Sequence, residues 1–209
     1  YLAHGETLES EQYGVTLQKA LRWLVDNQQQ DGSFAGCAYA HAIAAYAVSE
    51  GFALTKLPAL QAALDKAVDI ILKGQQGNGL WTYAYAHNGR RDTSVSAWQV
   101  QALKAASVAG CTHSDLPEAL LKAAKGFKLQ YCQTGLTSEL TDFKASQSKP
   151  EPMGVFAYAV QGNSKFTGVG PKERALRLAR LHTMTGLGAL CLEFLGEGAS
   201  AEVKGGLAF

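Results

Sequence analysis

The sequence predicts an all-α protein built from two layers of helices. Three observations carry that expectation. Apolar residues recur at helical spacing nearly throughout, amphipathic segments alternate with segments that are apolar on almost every face, and one motif returns in fixed register. With 209 residues, the chain is long enough for a single domain, 1–209, to bury a full core.

Taken in order, the first amphipathic stripe is Leu17, Ala20, Leu21 and Leu24. Residues 38–48 (AYAHAIAAYAV) carry almost no charge and predict a helix buried on all sides. Leu60, Leu64, Val68, Ile71 and Leu72 then recur opposite Gln61, Lys66, Asp69 and Lys73, a helix with one wet face. Residues 80–86 (LWTYAYA) alternate as a short strand does, but the helical context favours a turn. A second apolar segment spans 94–109, a third stripe runs Leu120, Ala124, Phe127, Tyr131, and a last apolar segment spans 183–195. Residues 134–153 are polar and proline-bearing, and read as an inserted loop. Pro58 and Pro117 open outer helices, where the missing N–H costs nothing. Gly51 and Gly110 are expected to end the inner helices that precede them.

The internal repeat is the most informative feature. Lys19, Ala20, Trp23, Gln28, Gly32 and Phe34 are matched by Lys66, Ala67, Ile70, Gln75, Gly79 and Trp81, every position displaced by 47. Gly79 to Ala84 is echoed by Gly154 to Ala159, which pairs Trp81 with Phe156. Units follow at 14–55, 57–113 and 115–198, the third interrupted by the loop and degenerate at its Lys and Gln positions. Residues 1–5 resemble 194–198, and Lys204-Gly205 resembles the opening of a further outer helix. Both termini therefore read as cut inside a repeat. Exposed repeat ends of that kind predict self-association.

The run of Lys-Ala, an aromatic or aliphatic residue, Gln, then Gly-x-Trp/Phe resembles the QW repeat of squalene and oxidosqualene cyclases. The same superfamily includes protein prenyltransferase β subunits. The resemblance spans about residues 14–198 and implies an α/α toroid, of which this chain is an arc of about three hairpins. In such a repeat the aromatic plugs the space between hairpins, and the glutamine binds backbone at the end of a neighbouring helix. Gln28, Gly32, Phe34, Gln75, Gly79, Trp81, Gly154 and Phe156 are the structural repeat residues on this reading.

The resemblance also frames the chemistry. A cyclising member carries Asp-x-Asp-Asp-Thr-Ala, whose middle aspartate is the acid. The matching stretch here is Gly89-Arg90-Arg91-Asp92-Thr93-Ser94, with Arg91 in the donor's place. A guanidinium stays charged and does not act as that acid, so the expectation is a non-cyclising domain. Asp92 reads either as the cap of an inner helix or, with Arg90 and Arg91, as the mouth of a cavity. A prenyltransferase zinc site needs Asp-x-Cys, which is absent. Cys37, His41, Cys191 and His182 lie on or near inner helices but lack ligand spacing, and no metal is expected. Cys37 and Cys191 read as small buried hydrophobes.

Tyr39, His41, Tyr83, Tyr85, Trp98, Gln99 and His182 complete the candidate cavity lining, with core packing as the alternative for each. An aromatic mouth suits a small apolar or carbohydrate ligand. No Gly-x-Ser-x-Gly, Walker or Rossmann pattern occurs, and no cofactor is implied. A net charge of +1 argues against nucleic-acid binding, and no apolar run is long enough for a membrane span. The four cysteines form no CxxC pair, and one or two bridges remain open. The first reading is a toroid domain that binds a ligand or partner between its inner helices. The alternatives are an isoprenoid-handling enzyme whose catalytic residues lie outside this segment, and a toroid polysaccharide lyase. For the last, Asp31 and Asp142 are ordinary turn or loop residues and nominate no catalytic pair.

Overall fold

A computed structural model describes residues 1–34, 36–137, 152–163, 165–166 and 182–209. The chain is mostly helical: α1 (Gly14–Asn27), α2 (Ala38–Thr55), α3 (Pro58–Lys73), α4 (Thr93–Ala109), α5 (Leu116–Gln130), α6 (His182–Phe194) and the short α7 (Ala201–Leu207). Helices α2, α4 and α6 pack in a row, and α1, α3 and α5 lie against them. The amphipathic stripes bury one face each, through Leu17 and Leu21 on α1, Leu60, Leu64, Val68 and Ile71 on α3, and Phe127 on α5. Pro58 and Pro117 stand in the first turns of α3 and α5, as expected.

One expectation about α2 is corrected. Gly51 does not end the helix. It lies inside it because Leu21 of α1 packs onto its Cα, where an added Cβ would stand 2.7 Å from a Leu21 methyl. The helix runs on to Lys56, whose left-handed backbone (φ 53°) makes the stop. The Lys56 ammonium donates to the carbonyl of Ala109 at 2.9 Å, tying the end of α2 to the end of α4. Gly110, by contrast, caps α4 with φ 95°.

The all-α expectation holds for the bulk of the chain but misses two antiparallel ladders. β1 (Arg90–Asp92) pairs with β4 (Ala159–Gln161), and β2 (Tyr131–Thr137) pairs with β3 (Pro152–Phe156). The edges of the expected loop 134–153 are therefore strand, and Tyr131 begins β2 instead of ending the helix. The remainder of that loop, 138–151, lies outside the described residues. Residues 80–86 form a turn, with Tyr85 at φ 54°.

The repeat motif builds the joints between units. Gln28 donates from its amide to the carbonyl of Gly32 in its own turn (2.9 Å) and to Ala63 of α3 (2.8 Å). Gln75 repeats both bonds, to Gly79 (2.9 Å) and to Ala119 of α5 (2.9 Å). Gly32 and Gly79 have φ of 93° and 87°, and each presses its Cα onto the next outer helix, at Lys66 and at Lys122. A side chain there meets both a strained backbone and a facing carbonyl. In the third unit Tyr131 takes the glutamine's place, and its hydroxyl end fills the space beside Gly154 and Gly205 of α7.

The aromatic plugs are anchored in a way the motif does not reveal. The backbone N–H of Phe34 donates to His41 Nδ1 (3.2 Å), that of Trp81 to Ser96 Oγ (2.9 Å), and that of Phe156 to Thr185 Oγ1 (3.2 Å). His41, Ser96 and Thr185 are each the fourth residue of their helix. Trp81 and Phe156 are fully buried, and the Trp81 indole N–H donates to Ile71 in the last turn of α3 at 2.7 Å. Phe34 is only half-buried.

Candidate functional site

The candidate residues divide between the joints and two surfaces. His41 belongs to a joint. It is fully buried, accepts from Phe34 at Nδ1, and faces the Ala67 carbonyl through Nε2 at 3.0 Å. One neutral tautomer, protonated on Nε2, satisfies both partners. Burial holds its pKa below the ordinary value. Gln99 is likewise buried, donating to Ala38 (2.9 Å) and accepting from Tyr85 (2.9 Å). Burial raises the Tyr85 phenol well above its usual value.

The first surface lies at the N-terminal ends of α2 and α4. Tyr39 packs on Tyr83, with ring centroids 5.4 Å apart, and the Tyr83 and Tyr158 hydroxyls share a hydrogen bond of 2.7 Å. Tyr83 and Tyr158 are exposed, and that shared hydrogen bond pushes the Tyr83 phenol upward in pKa. Asp92 is fully buried. It caps α4 by accepting from the Val95 N–H (3.2 Å), and it also receives Ser94 Oγ (2.7 Å) and the Arg90 guanidinium (3.1 Å). All of this is the work of a helix cap, and no carboxylate oxygen is left facing solvent. Arg91 is buried too, and burial pulls its pKa down. Of the Arg90, Arg91 and Asp92 group, only Arg90 reaches the surface.

The second surface corrects the expectation that 38–48, 94–109 and 183–195 are buried on every side. Each helix of the α2–α4–α6 row leaves one apolar face open, and Val108 is 75% exposed and Leu54 52%. Ile43, Leu190 and Phe194 are also exposed. Two grooves run here, of about 210 and 200 Å³, sharing Glu50, Ala105 and Val108. Tyr46, Gln101, Lys104 and Phe194 line the first, while Leu2, Ala53 and Leu54 line the second. The Tyr46 hydroxyl donates to Glu50 at 2.7 Å, and that carboxylate pushes the phenol's pKa up to about 12. Trp98 is half-buried on the same face of α4, one turn before Gln101. Sequence reasoning found Trp98 but not Val108, Lys104 or Glu50, because a largely apolar helix with one open face has nearly the same composition as one buried all round.

His182 opens α6, where it is exposed and stacked on the Phe209 ring at 4.6 Å. The cysteine expectations hold for Cys191, which is fully buried. They fail for Cys37, which is exposed because it is the residue preceding α2, outside the helix. All four cysteines are free thiols. Among the described residues no three His, Cys, Asp or Glu side chains come together to hold a metal ion, and no helix is long and apolar enough to cross a membrane. Asp31 accepts from the Ser33 N–H in a turn (2.9 Å), a bond that lowers its pKa, and Asp142 lies outside the described residues. Comparison with protein-family models, with curated proteins and with solved structures gave no match in any of the three.

Proposed function

We propose that this chain is an arc of an α/α toroid of the cyclase and prenyltransferase kind, and that it binds an elongated apolar ligand of isoprenoid class without cyclising it. The observation that carries the reading is the open apolar face of the α2–α4–α6 row. Ile43, Leu54, Val108, Leu190 and Phe194 are uncovered there, on helices whose other faces are buried. Covering such side chains yields about 25 cal/mol per Å² of apolar area. A flexible hydrocarbon fits two adjoining grooves with a largely apolar lining better than a rigid polar molecule does. Arg91 in place of an acid supports binding without protonation.

Titration with farnesol, followed by tryptophan fluorescence, tests this. Saturable quenching that weakens about tenfold or more in Val108→Glu supports it. Quenching that is absent, or unchanged by the substitution, defeats it. The tyrosine platform of Tyr39, Tyr83 and Tyr158 favours a second reading, a carbohydrate stacked on exposed rings. Binding of maltohexaose that is lost in Tyr83→Ala would select that alternative.

A further inference from the structure

The joints described above each have a giving side and a receiving side. The giving side is a turn with glutamine, glycine and aromatic. The receiving side is an outer helix. On α3 the receiving residues are Ala63, Lys66 and Ala67, and on α5 they are Ala119, Lys122 and Ala123. All four alanines are buried by the turn that sits on them. Displacement by 47 positions places Thr16, Lys19 and Ala20 of α1 in register with the α3 set, with Trp23 in register with Ile70.

On α1 these positions are open. Thr16 and Ala20 are exposed, and Trp23 is 61% exposed. The preceding segment does not cover them. It packs on a different face of the helix, where Leu8 accepts from Gln18 (3.2 Å) and joins Leu21 and Val25 around a groove of about 490 Å³. An indole left in water beside Ala20, whose counterparts Ala67 and Ala123 the same fold buries, marks a contact surface.

We propose that the α1 face formed by Thr16, Lys19, Ala20 and Trp23 is an unfilled joint that docks a helical hairpin of a partner polypeptide. The turn of that hairpin presents a glutamine, a glycine four residues on, and an aromatic two beyond. The glutamine amide donates to the Thr16 carbonyl, as Gln28 and Gln75 do to Ala63 and Ala119. The glycine lies on Lys19, and the entering helix covers Ala20 and Trp23. Among the described residues, a second copy of this chain has no such turn to spare. Its turns are already seated, on α3, on α5, and through Tyr131 against α7. The inference rests on the joints alone and stands whether or not the groove binds an isoprenoid.

The test uses the whole chain with its tryptophans labelled with ¹⁵N, the Trp23 indole signal being assigned from Trp23→Phe. The probe is an unlabelled synthetic peptide with the sequence of residues 75–109, which carries such a turn and the helix after it. The expected result is a saturable shift of the Trp23 indole signal with the Trp81 signal unmoved. The half-saturating concentration should rise about tenfold or more when the probe carries Gln75→Ala and Gly79→Val, or when the protein carries Ala20→Arg. No shift at millimolar probe, or an equal response to the altered probe, overturns the proposal. A Trp23 shift that follows protein concentration without any probe also overturns it, since the occupant is then a second copy.

Discussion

Replacing Trp81 with alanine tests the joint model most directly. The side chain is fully buried between α3 and α4, so its removal leaves a large cavity, at a cost of about 3–5 kcal/mol. Its indole also satisfies the Ile71 carbonyl, one of the last carbonyls of α3 that no intrahelical N–H reaches. Losing that bond adds about 1 kcal/mol. The sum, about 4–6 kcal/mol, lowers the melting temperature by roughly 10–20 °C for a chain of this size. Trp81→Phe keeps most of the ring and loses the donor, so it reads mainly the second contribution, about 1 kcal/mol, and stays folded for measurement. Phe34→Ala costs less than Trp81→Ala, because Phe34 is only half-buried. Urea unfolding followed by circular dichroism measures all three. A Trp81→Ala protein within about 1 kcal/mol of the parent would refute the plug.

Two further outcomes follow from the same geometry. Gly79→Ala should destabilise by about 2 kcal/mol more than Gly110→Ala: both glycines have positive φ, but only Gly79 faces a backbone carbonyl, that of Lys122, while Gly110 faces open space. Equal costs in thermal melts would remove the close-approach argument. His41 gives a pH dependence. Its pKa is lower in the fold than the unfolded value of 6.5, so the unfolded chain takes up the proton first. The stabilisation is complete above that value and is lost as pH falls below it, and the loss ends once pH is beneath the depressed pKa. His41→Asn should flatten the stability profile where pH falls below the unfolded value of 6.5. A profile identical to the parent's would place the acid sensitivity elsewhere.

How much of this was legible beforehand differs by feature. The glutamine and glycine positions were readable in two units because a fixed backbone geometry holds their spacing constant. In the third unit Tyr131 replaces the glutamine, and the stretch before Gly154 breaks the register. The shared acceptor position of His41, Ser96 and Thr185 was hidden for two reasons. The three side chains are chemically unlike, and they follow their aromatics at three different distances, because only the three-dimensional position is repeated. The short ladders escaped notice because a three-residue strand such as Arg90–Asp92 has no room to show alternation. At the candidate site, the mouth residues were found, but their roles came out structural: Asp92 is spent on its cap and Gln99 on Tyr85.

The pairwise joints also set an order of unfolding. Among the described residues, α4 packs against four helices, α2, α3, α5 and α6, while α1 packs chiefly on two, α2 and α3. Loss of a terminal unit therefore breaks one joint, whereas loss of the middle unit breaks two. Amide hydrogens of α1 should exchange with solvent well before those of α4, by openings smaller than global unfolding. A protein joined this way melts like a zipper from its first helix. Whatever seats itself on α1 would then hold the zipper shut, and so act on the persistence of the whole fold from a single edge.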